Sequence, residues 1–364
     1  MRTVSFWSVA LAAASGVWCQ ASEPASRVNV VRVPISGSVI KAQAGADGMI
    51  HLLIDAEDGP VYVKSREGGA TFSEPMAIVD AASQKPGLKF SGWDMAVGRD
   101  GRVHVAMGNN AWKLKLPEEE WSLYYASLAP GAKAFSPVRN LNRKPSEGFS
   151  LAANERGDVA ACFLSGKLFA MISHDDGKTF SASIEPNPAW DPCDCCTTAA
   201  AYGRDGRLVM LYREETNNDR DMYLVLWDQP GKDKPMRKRV SGTPWKIEGC
   251  PMTYFSINRT ETGYVAAWPT KGQIYFARLD KDGAVLPPGE IRVPGTAGMR
   301  TGVVAVGAQD GATLLAWKNQ TKDELRWQLY DAKGKPEGEP GSAKSSGSGA
   351  GAVASGDGRF AVFP

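Results

Sequence analysis

A glycine-containing turn between two apolar runs recurs along the chain, and this feature constrains the fold more than any other. Consecutive turns stand 47–57 residues apart, and their glycines are Gly48, Gly101, Gly157, Gly206, Gly263, Gly311 and Gly358. Most of these glycines follow an aspartate. Asp-Gly between apolar runs is the strongest short-range signal for a β-hairpin, because such a turn needs a positive φ. The sequence therefore predicts one hairpin per repeat in an all-β chain.

Each predicted hairpin is followed by a third apolar run and often by a weaker fourth one. Leu168–Ser173 and Met222–Trp227 are typical third runs, and Pro137–Leu141 is a typical fourth. Four antiparallel strands per period are typical of β-propeller blades, whereas a tandem of β-sandwiches would need linkers that are not seen here. We predict one propeller domain, residues 22–364, with six or seven four-stranded blades. An N-terminal strand at Arg27–Val33 is expected to close the last blade.

The first 21 residues have the layout of a signal peptide. Arg2 supplies an early positive charge, Val4–Val17 is a short apolar run, and small residues end at Ala21. This order of charge, apolar run and small residues is typical of a cleaved leader. The apolar run contains serines and is too short to favour a membrane span. We expect cleavage near Ala21, a secreted or periplasmic protein, and no membrane span.

The charge balance argues against some partners. Lysine and arginine total 42, and aspartate and glutamate total 40. A nearly neutral chain has no field that would attract nucleic acid or anionic lipid. We expect no nucleic-acid partner, a carbohydrate or other small ligand, and a monomer.

One face of the predicted propeller collects residues that could bind a ligand. In this fold, the connections between blades and the loops between second and third strands lie on the same face, around the axis. The aromatic candidates on this face are Trp93, Trp112, Trp245 and Trp268, and the cationic candidates are Arg213, Arg220 and Arg300. Aromatic and charged side chains on one rim are typical of a ligand site. The alternative is a polar rim in which salt bridges only stiffen the loop 213–221.

Four cysteines fall on the same predicted face. Cys193, Cys195 and Cys196 lie within four positions, and Cys250 stands at the entrance to the next blade. In an oxidising compartment two disulfides are expected, one of which joins Cys250 to the triple-cysteine loop. A vicinal Cys195–Cys196 bridge is a further possibility. The alternative is a soft-metal site in which thiolates hold copper or zinc, although Cys-x-Cys-Cys is not a standard zinc spacing.

Two segments carry a motif found in a known family. Ser173–Phe180 reads Ser-His-Asp-Asp-Gly-Lys-Thr-Phe, and Ser65–Phe72 reads Ser-Arg-Glu-Gly-Gly-Ala-Thr-Phe. Both segments resemble the Asp-box pattern, Ser-x-Asp-x-Gly-x-Thr-Trp/Phe, of BNR-repeat propellers in the sialidase superfamily. The resemblance extends over essentially the whole chain after the leader, implies a sialidase-like propeller and favours six blades. With the Cys-Asp-Cys-Cys motif, it indicates a divergent exported group of that superfamily.

The resemblance also implies a function. Sialidases hold the carboxylate of their substrate with three arginines and use a tyrosine–glutamate nucleophile pair and an aspartic acid. The candidates here for acid and nucleophile roles are Tyr254, Glu214, Glu215 and Asp221. This chain departs from the family at the first arginine, where it has Ser38.

We therefore expect an exported propeller that binds an acidic sugar or glycan and requires no cofactor. Two alternatives stay open. One is an active exo-glycosidase of the sialidase type, and the other is a copper- or redox-linked exported protein that uses the cysteine cluster.

Overall fold

The computed structural model describes residues 26–80, 85–296 and 298–364. The predicted signal peptide, residues 1–21, lies outside the described residues, so the leader and its cleavage near Ala21 stay predictions. The described residues form seven β-sheets arranged as the blades of a β-propeller, which decides between the six and seven blades that the sequence left open. No helix in this part of the chain has the length and hydrophobicity needed to cross a bilayer.

The strands follow the chain order of the blades, except that the first strand belongs to the last blade. Their bounds are β1 (Val28–Val30) in blade seven; β2 (Ser38–Ala44), β3 (Ile50–Ala56), β4 (Gly59–Arg66), β5 (Thr71–Phe72) and β6 (Met76–Ala77) in blade one; β7 (Phe90–Val97), β8 (Val103–Asn109), β9 (Tyr124–Leu128) and β10 (Arg139–Asn140) in blade two; β11 (Glu147–Ala153), β12 (Val159–Leu164) and β13 (Leu168–Ser173) in blade three; β14 (Ala199–Tyr202), β15 (Leu208–Arg213), β16 (Met222–Trp227) and β17 (Met236–Arg239) in blade four; β18 (Ser256–Arg259), β19 (Gly263–Thr270), β20 (Gln273–Asp280) and β21 (Ile291–Thr296) in blade five; β22 (Val303–Gly307), β23 (Thr313–Lys318), β24 (Glu324–Tyr330) and β25 (Pro336–Lys344) in blade six; and β26 (Gly351–Ala354) and β27 (Phe360–Phe363) in blade seven.

The middle strands of the blades are buried on both faces because neighbouring blades pack against each other. All six positions of β12 and of β15 are buried, and so are all eight of β19. A strand covered on both faces reads as a continuous apolar run, which is the pattern that the repeats show. The outermost strands are more exposed, as in β25, and their polar sequences explain why the fourth strand of each repeat was the weakest signal.

Six of the seven predicted turn glycines have the left-handed backbone that a tight hairpin requires, with φ between 74° and 90°. Gly263 is the exception, because it begins β19. A Cβ atom at Gly263 would lie 2.1 Å from the carbonyl oxygen of Leu279 on β20. Glycine is needed there for close approach of two strands, not for the conformation of the turn.

The segment 173–180 forms a turn held by its own side chains. The Asp175 carboxylate accepts hydrogen bonds from the Thr179 backbone N–H (2.9 Å) and hydroxyl (2.6 Å), and the Ser173 hydroxyl accepts one from Gly177 N–H (2.9 Å). The bonds from Thr179 hold the pKa of Asp175 far below its usual range. Phe180 packs edge-on against Tyr125 of blade two, with ring centroids 5.1 Å apart. The turn therefore links blades three and two.

The ring is closed by the N-terminal strand, as the sequence predicted. Strand β1 pairs with β27 in parallel, and the backbone N–H of Val31 continues the pairing with a 2.9 Å hydrogen bond to Val362. Arg27 fastens the same end of the chain with bonds of 2.7 Å to Asp310 of blade six and to the carbonyl of Gly358. Because the ring is closed, every blade packs against a blade on each side. The N-terminal strand is held by the C-terminal strand.

Replacing Val31 with proline tests this closure. The Val31→Pro variant lacks the N–H that bonds to Val362, and we expect a loss of about 2 kcal/mol of stability. Scanning calorimetry should show a melting temperature several degrees lower than that of the wild type. The control is Val30→Ala, because the Val30 side chain is 45% exposed and its removal should change the melting temperature little. Equal melting temperatures for Val31→Pro and the wild type would contradict the role given to β1.

Candidate functional site

A cavity of about 1020 Å³ opens at the centre of the ring. Every blade contributes to its wall, mainly with the first residues of the innermost strand or the connection that leads into that strand. The loops after β8 and β12 add further residues on the same face. A volume of this size matches the larger ligand-binding clefts of proteins.

Aromatic rings form one part of the cavity wall. The ring centroid of Trp93 lies 5.2 Å from that of Phe149 and 6.1 Å from that of Tyr254. Gly108 on β8 makes room for this packing, since a Cβ atom there would lie 2.7 Å from Trp93 Nε1. At the rim, Trp112 is 59% exposed and has Lys113 Nζ 5.4 Å from its ring centroid. These rings give the cavity flat apolar surfaces beside its polar groups.

One ion pair in the wall is structural. Lys41 of blade one bonds to Asp94 of blade two at 2.9 Å, and Asp94 also accepts a 2.9 Å hydrogen bond from the backbone N–H of Leu151 in blade three. Asp94 thus ties three consecutive blades together. Its charge is balanced by Lys41 within the wall.

Glu147 and Asp194 are two further carboxyl groups that line the cavity. Both open onto the cavity, yet the surrounding walls remove part of their hydration. This desolvation raises the pKa of Glu147, and the charge of Asp194 raises it further while Arg300 acts in the opposite sense. Desolvation likewise raises the pKa of Asp194. Carboxyl groups whose pKa is raised by the wall of a cavity are candidates for general acid–base work.

Tyr254 lies in the same part of the wall. Burial raises the pKa of its phenol, whereas the positive charge of Arg300 lowers it. Arg300 is placed by its backbone, which has φ 52° and donates a 2.8 Å hydrogen bond to the carbonyl of Met252. The cavity therefore gathers Tyr254, Arg300, Glu147 and Asp194 in one electrostatically coupled group.

Some of the residues that the sequence singled out do line the cavity. They are Trp93, Trp112, Tyr254, Arg300, Cys195 and Cys196. Sequence reasoning missed Glu147 and Asp194. Asp194 stands inside the Cys-Asp-Cys-Cys motif, and Glu147 begins an innermost strand, so position in the repeat was the signal that could have found them.

The predicted convergence of three arginines is not found, because only Arg300 lines the cavity. Arg213 is 1% exposed, and it donates hydrogen bonds to the backbone carbonyls of Arg220 (2.6 Å) and Pro269. Its guanidinium lies 4.8 Å from the ring centroid of Trp245. Trp268 is fully buried in the core. Side chains enclosed in this way do not reach a ligand in the cavity.

The acidic residues predicted around Tyr254 instead hold the loop 213–221. Glu214 accepts a 2.6 Å hydrogen bond from the Tyr212 hydroxyl and pairs with Arg237 at 2.9 Å. Asp221 pairs with Arg239 at 3.0 Å, and Glu215 accepts a 3.1 Å bond from the backbone N–H of Asn218. None of the three acids lines the cavity. Their contacts agree with the alternative in which the charges stiffen the loop.

The cysteines form one cluster, as expected from their predicted common face. Cys195 and Cys250 make a disulfide, which confirms that Cys250 pairs with the triple-cysteine loop. Neither the vicinal Cys195–Cys196 bridge nor a second disulfide is formed, since Cys193 and Cys196 are free thiols with Sγ atoms 3.4 Å apart. Two free thiols are fewer than the four ligands of a structural zinc site. Copper or zinc at this cluster stays a prediction.

Two arginines border the free thiols. Arg220 Nη1 donates a 2.9 Å hydrogen bond to Cys193 Sγ. Burial raises the pKa of the Cys196 thiol, but hydrogen bonds from Cys193 and Thr253 and the charge of Arg213 outweigh burial and lower this pKa to about 6. By contrast, burial raises the pKa of the isolated Cys162 thiol on β12 to about 12, which makes this thiol unreactive at neutral pH.

The comparisons with known proteins establish a fold but no family. No family model matches the chain, and no curated protein matches it. Similar solved structures include a chain of the mitotic checkpoint complex (11% identity, TM-score 0.53, covering 100% of this chain and 95% of that one). An ulvan lyase bound to GlcA(1-4)Rha3S has 11% identity and a TM-score of 0.52, with 88% of each chain covered.

A mutant of the NanB sialidase from Streptococcus pneumoniae has 8% identity and a TM-score of 0.50, covering 85% of this chain and 68% of that one. At these identities the likeness shows the β-propeller fold alone. It agrees with the seven-bladed all-β architecture described above.

Replacing Glu147 with glutamine tests the electrostatics of the cavity. Because the pKa of Glu147 is raised in the folded state, this carboxyl group lowers stability as pH rises through its folded-state pKa. Glu147→Gln should therefore raise the melting temperature at pH 7 by a small amount, on the order of 1 °C. The gain should vanish near pH 3, where the wild-type group is protonated.

The matched control is Glu155→Gln, because Glu155 is an exposed glutamate outside the cavity. Differential scanning fluorimetry of the three proteins at both pH values makes the comparison. A loss of stability at pH 7, or a gain of equal size at both pH values, would contradict the assignment.

Proposed function

We propose that this chain is an exported, sialidase-like β-propeller that binds a glycan in its central cavity. The observation that carries the proposal is the combination of Trp93 and Trp112 with Glu147, Asp194 and Arg300 in one wall. Aromatic faces stack on the apolar faces of sugar rings, and carboxyl groups accept hydrogen bonds from sugar hydroxyls. Both kinds of contact are available in a cavity large enough for more than one sugar unit.

The structures with the same fold give limited support. Two of them, the ulvan lyase and the sialidase, are named for action on glycans. The third belongs to the mitotic checkpoint complex, so the fold also serves protein assembly. The lining of the cavity, and not the fold, is therefore the basis of the proposal.

The charge of the wall restricts the ligand. Lys41 is paired with Asp94, which leaves Arg300 as the other basic residue of the lining, against three carboxyl groups, Asp55, Glu147 and Asp194. A polyanionic chain would meet an excess of negative charge. We infer a ligand that is neutral or that places one acidic sugar at Arg300.

Binding to oligosaccharides tests this function. Isothermal titration with lactose-series oligosaccharides, each with and without one terminal sialic acid, should find a ligand whose affinity falls about tenfold in Trp112→Ala. The control is Met236→Ala, since Met236 is an exposed apolar side chain outside the cavity. Unchanged affinity in Trp112→Ala, or a preference for polyanionic glycans, would contradict the proposal.

Glycoside hydrolysis is the second candidate, favoured by the neighbours of Tyr254. The sialidase resemblance implies a tyrosine–glutamate nucleophile pair with an aspartic acid. Here Glu147 acts electrostatically on Tyr254, in place of the predicted Glu214 or Glu215. In this reaction Glu147 would accept the phenolic proton of Tyr254 as the phenol attacks the sugar, and Asp194, whose pKa is raised, would protonate the leaving group.

Kinetics with fluorogenic glycosides, including a sialoside, test the second candidate. Tyr254→Phe and Asp194→Asn should each lower kcat by about 10² or more while the melting temperature and ligand affinity remain close to wild type. Glu155→Gln serves as the control with unchanged kcat. Absence of turnover on every substrate, together with retained binding, would leave the binding function alone.

A further inference from the structure

The cysteine cluster has an exposed end and a buried end. Cys250 is exposed and Cys195 lies at the cavity wall, so their disulfide is accessible from solvent. Cys193 and Cys196 are 3% and 2% exposed and belong to a buried core cluster. The Sγ atoms of Cys193, Cys195 and Cys196 all lie within 4.8 Å of one another.

The buried end carries positive charge that no carboxylate contacts. Arg213 is buried, its Nε has no hydrogen-bond partner, and Arg220 donates to Cys193. Glu214 pairs with Arg237 and Asp221 pairs with Arg239, so Asp221 acts on Arg213 only electrostatically, without contact. Within the described residues, no ion pair joins a carboxylate to either arginine.

A second disulfide would leave this charge uncompensated, because a disulfide is neutral. Buried guanidinium groups are stable only with hydrogen bonds and an opposite charge nearby. A thiolate shared by Cys193 and Cys196 supplies that charge, since their sulfurs are 3.4 Å apart and one proton can lie between them. The surroundings of the pair therefore favour a reduced, partly ionised dithiol.

The pair of free thiols is also in contact with the disulfide. Cys193 Sγ lies 3.5 Å from Cys195 Sγ, which is within the range of a near-attack distance. Thiol–disulfide exchange proceeds by attack of a thiolate on a disulfide sulfur, so both reactants are present and adjacent.

We propose that these four cysteines form a thiol–disulfide exchange site, in which Cys193 attacks the Cys195–Cys250 disulfide. The Cys193 sulfur donates its electron pair to Cys195 Sγ while its proton moves to Cys196, the Cys193–Cys195 bond forms, and the Cys195–Cys250 bond breaks. Cys250 leaves as a thiolate and takes a proton from water.

The exchange keeps the negative charge of the buried end. Cys196 returns its proton to water and stays beside Arg213 as a thiolate. One disulfide and two thiol groups are present before and after, so no external oxidant or reductant is required. The disulfide moves from Cys195–Cys250 to Cys193–Cys195, and Cys250 becomes free.

Alkylation of the native protein with N-ethylmaleimide tests the proposal. The protein is treated anaerobically at pH 8 without added thiol, quenched in acid, and mapped by mass spectrometry. We expect alkylation of Cys250, loss of the Cys195–Cys250 bridge, and recovery of a disulfide that contains Cys193. The reagent traps Cys250 irreversibly once exchange has released it.

Four variants refine the test. Cys193→Ser should slow alkylation of Cys250 at least tenfold, because the attacking sulfur is absent. Cys162→Ser removes a buried thiol outside the cluster and should behave as wild type. Arg220→Gln should slow the reaction and Arg220→Lys should restore it in part, since lysine keeps the charge beside Cys193. Circular dichroism and the melting temperature check that each variant is folded.

Any one of the following outcomes would overturn the proposal. The first is alkylation confined to Cys193 and Cys196 with the Cys195–Cys250 bridge intact. The second is purified protein that already contains a Cys193–Cys196 disulfide beside the first bridge. The third is a stoichiometric metal ion that blocks both thiols until it is chelated. The fourth is wild-type protein in which Cys250 stays unlabelled, or folded Cys193→Ser protein labelled as fast as wild type.

Discussion

Closure of the ring is the constraint on which the rest of this structure depends. Seven sheets packed side by side bury their middle strands only if the last sheet also meets the first. The parallel pairing of β1 with β27, and the contacts of Arg27, hold that final junction. The cavity exists because closure brings the start of every innermost strand to the same axis.

Charged side chains have different surroundings in the wall of the cavity and in the layer behind it. In the wall, Lys41 and Asp94 neutralise each other and join blades, while Glu147 and Asp194 stay open to solvent with raised pKa values. Behind the wall, Arg213 is enclosed beside thiols. Buried charge without a contacting counter-charge is costly, so a thiolate within the cluster would stabilise Arg213.

The polar loop 213–221 shows how one sequence pattern can serve either recognition or structure. A run of arginines and acids on the face of a propeller resembles a ligand site, yet Glu214 and Asp221 bond to arginines of the neighbouring strand β17. The pairing of β17 with β16 made these residues structural. Strand β17 runs beside β16 and places Arg237 and Arg239 within reach of the loop, and no local pattern in 213–221 shows that pairing.

The repeat of apolar runs and turns by itself determined the all-β blades, the hairpin positions and the closing strand, because continuous apolar runs and glycine turns are local properties of the chain. It also placed Cys250 with the triple-cysteine loop, since adjacent blades bring their entrances together. Only the tertiary structure decided the number of blades, the enclosure of Arg213 and Trp268, and the meeting of Glu147 with Tyr254 and Arg300. These depend on how far each blade turns about the axis and which side chains point inward, and both follow from packing between residues distant in sequence.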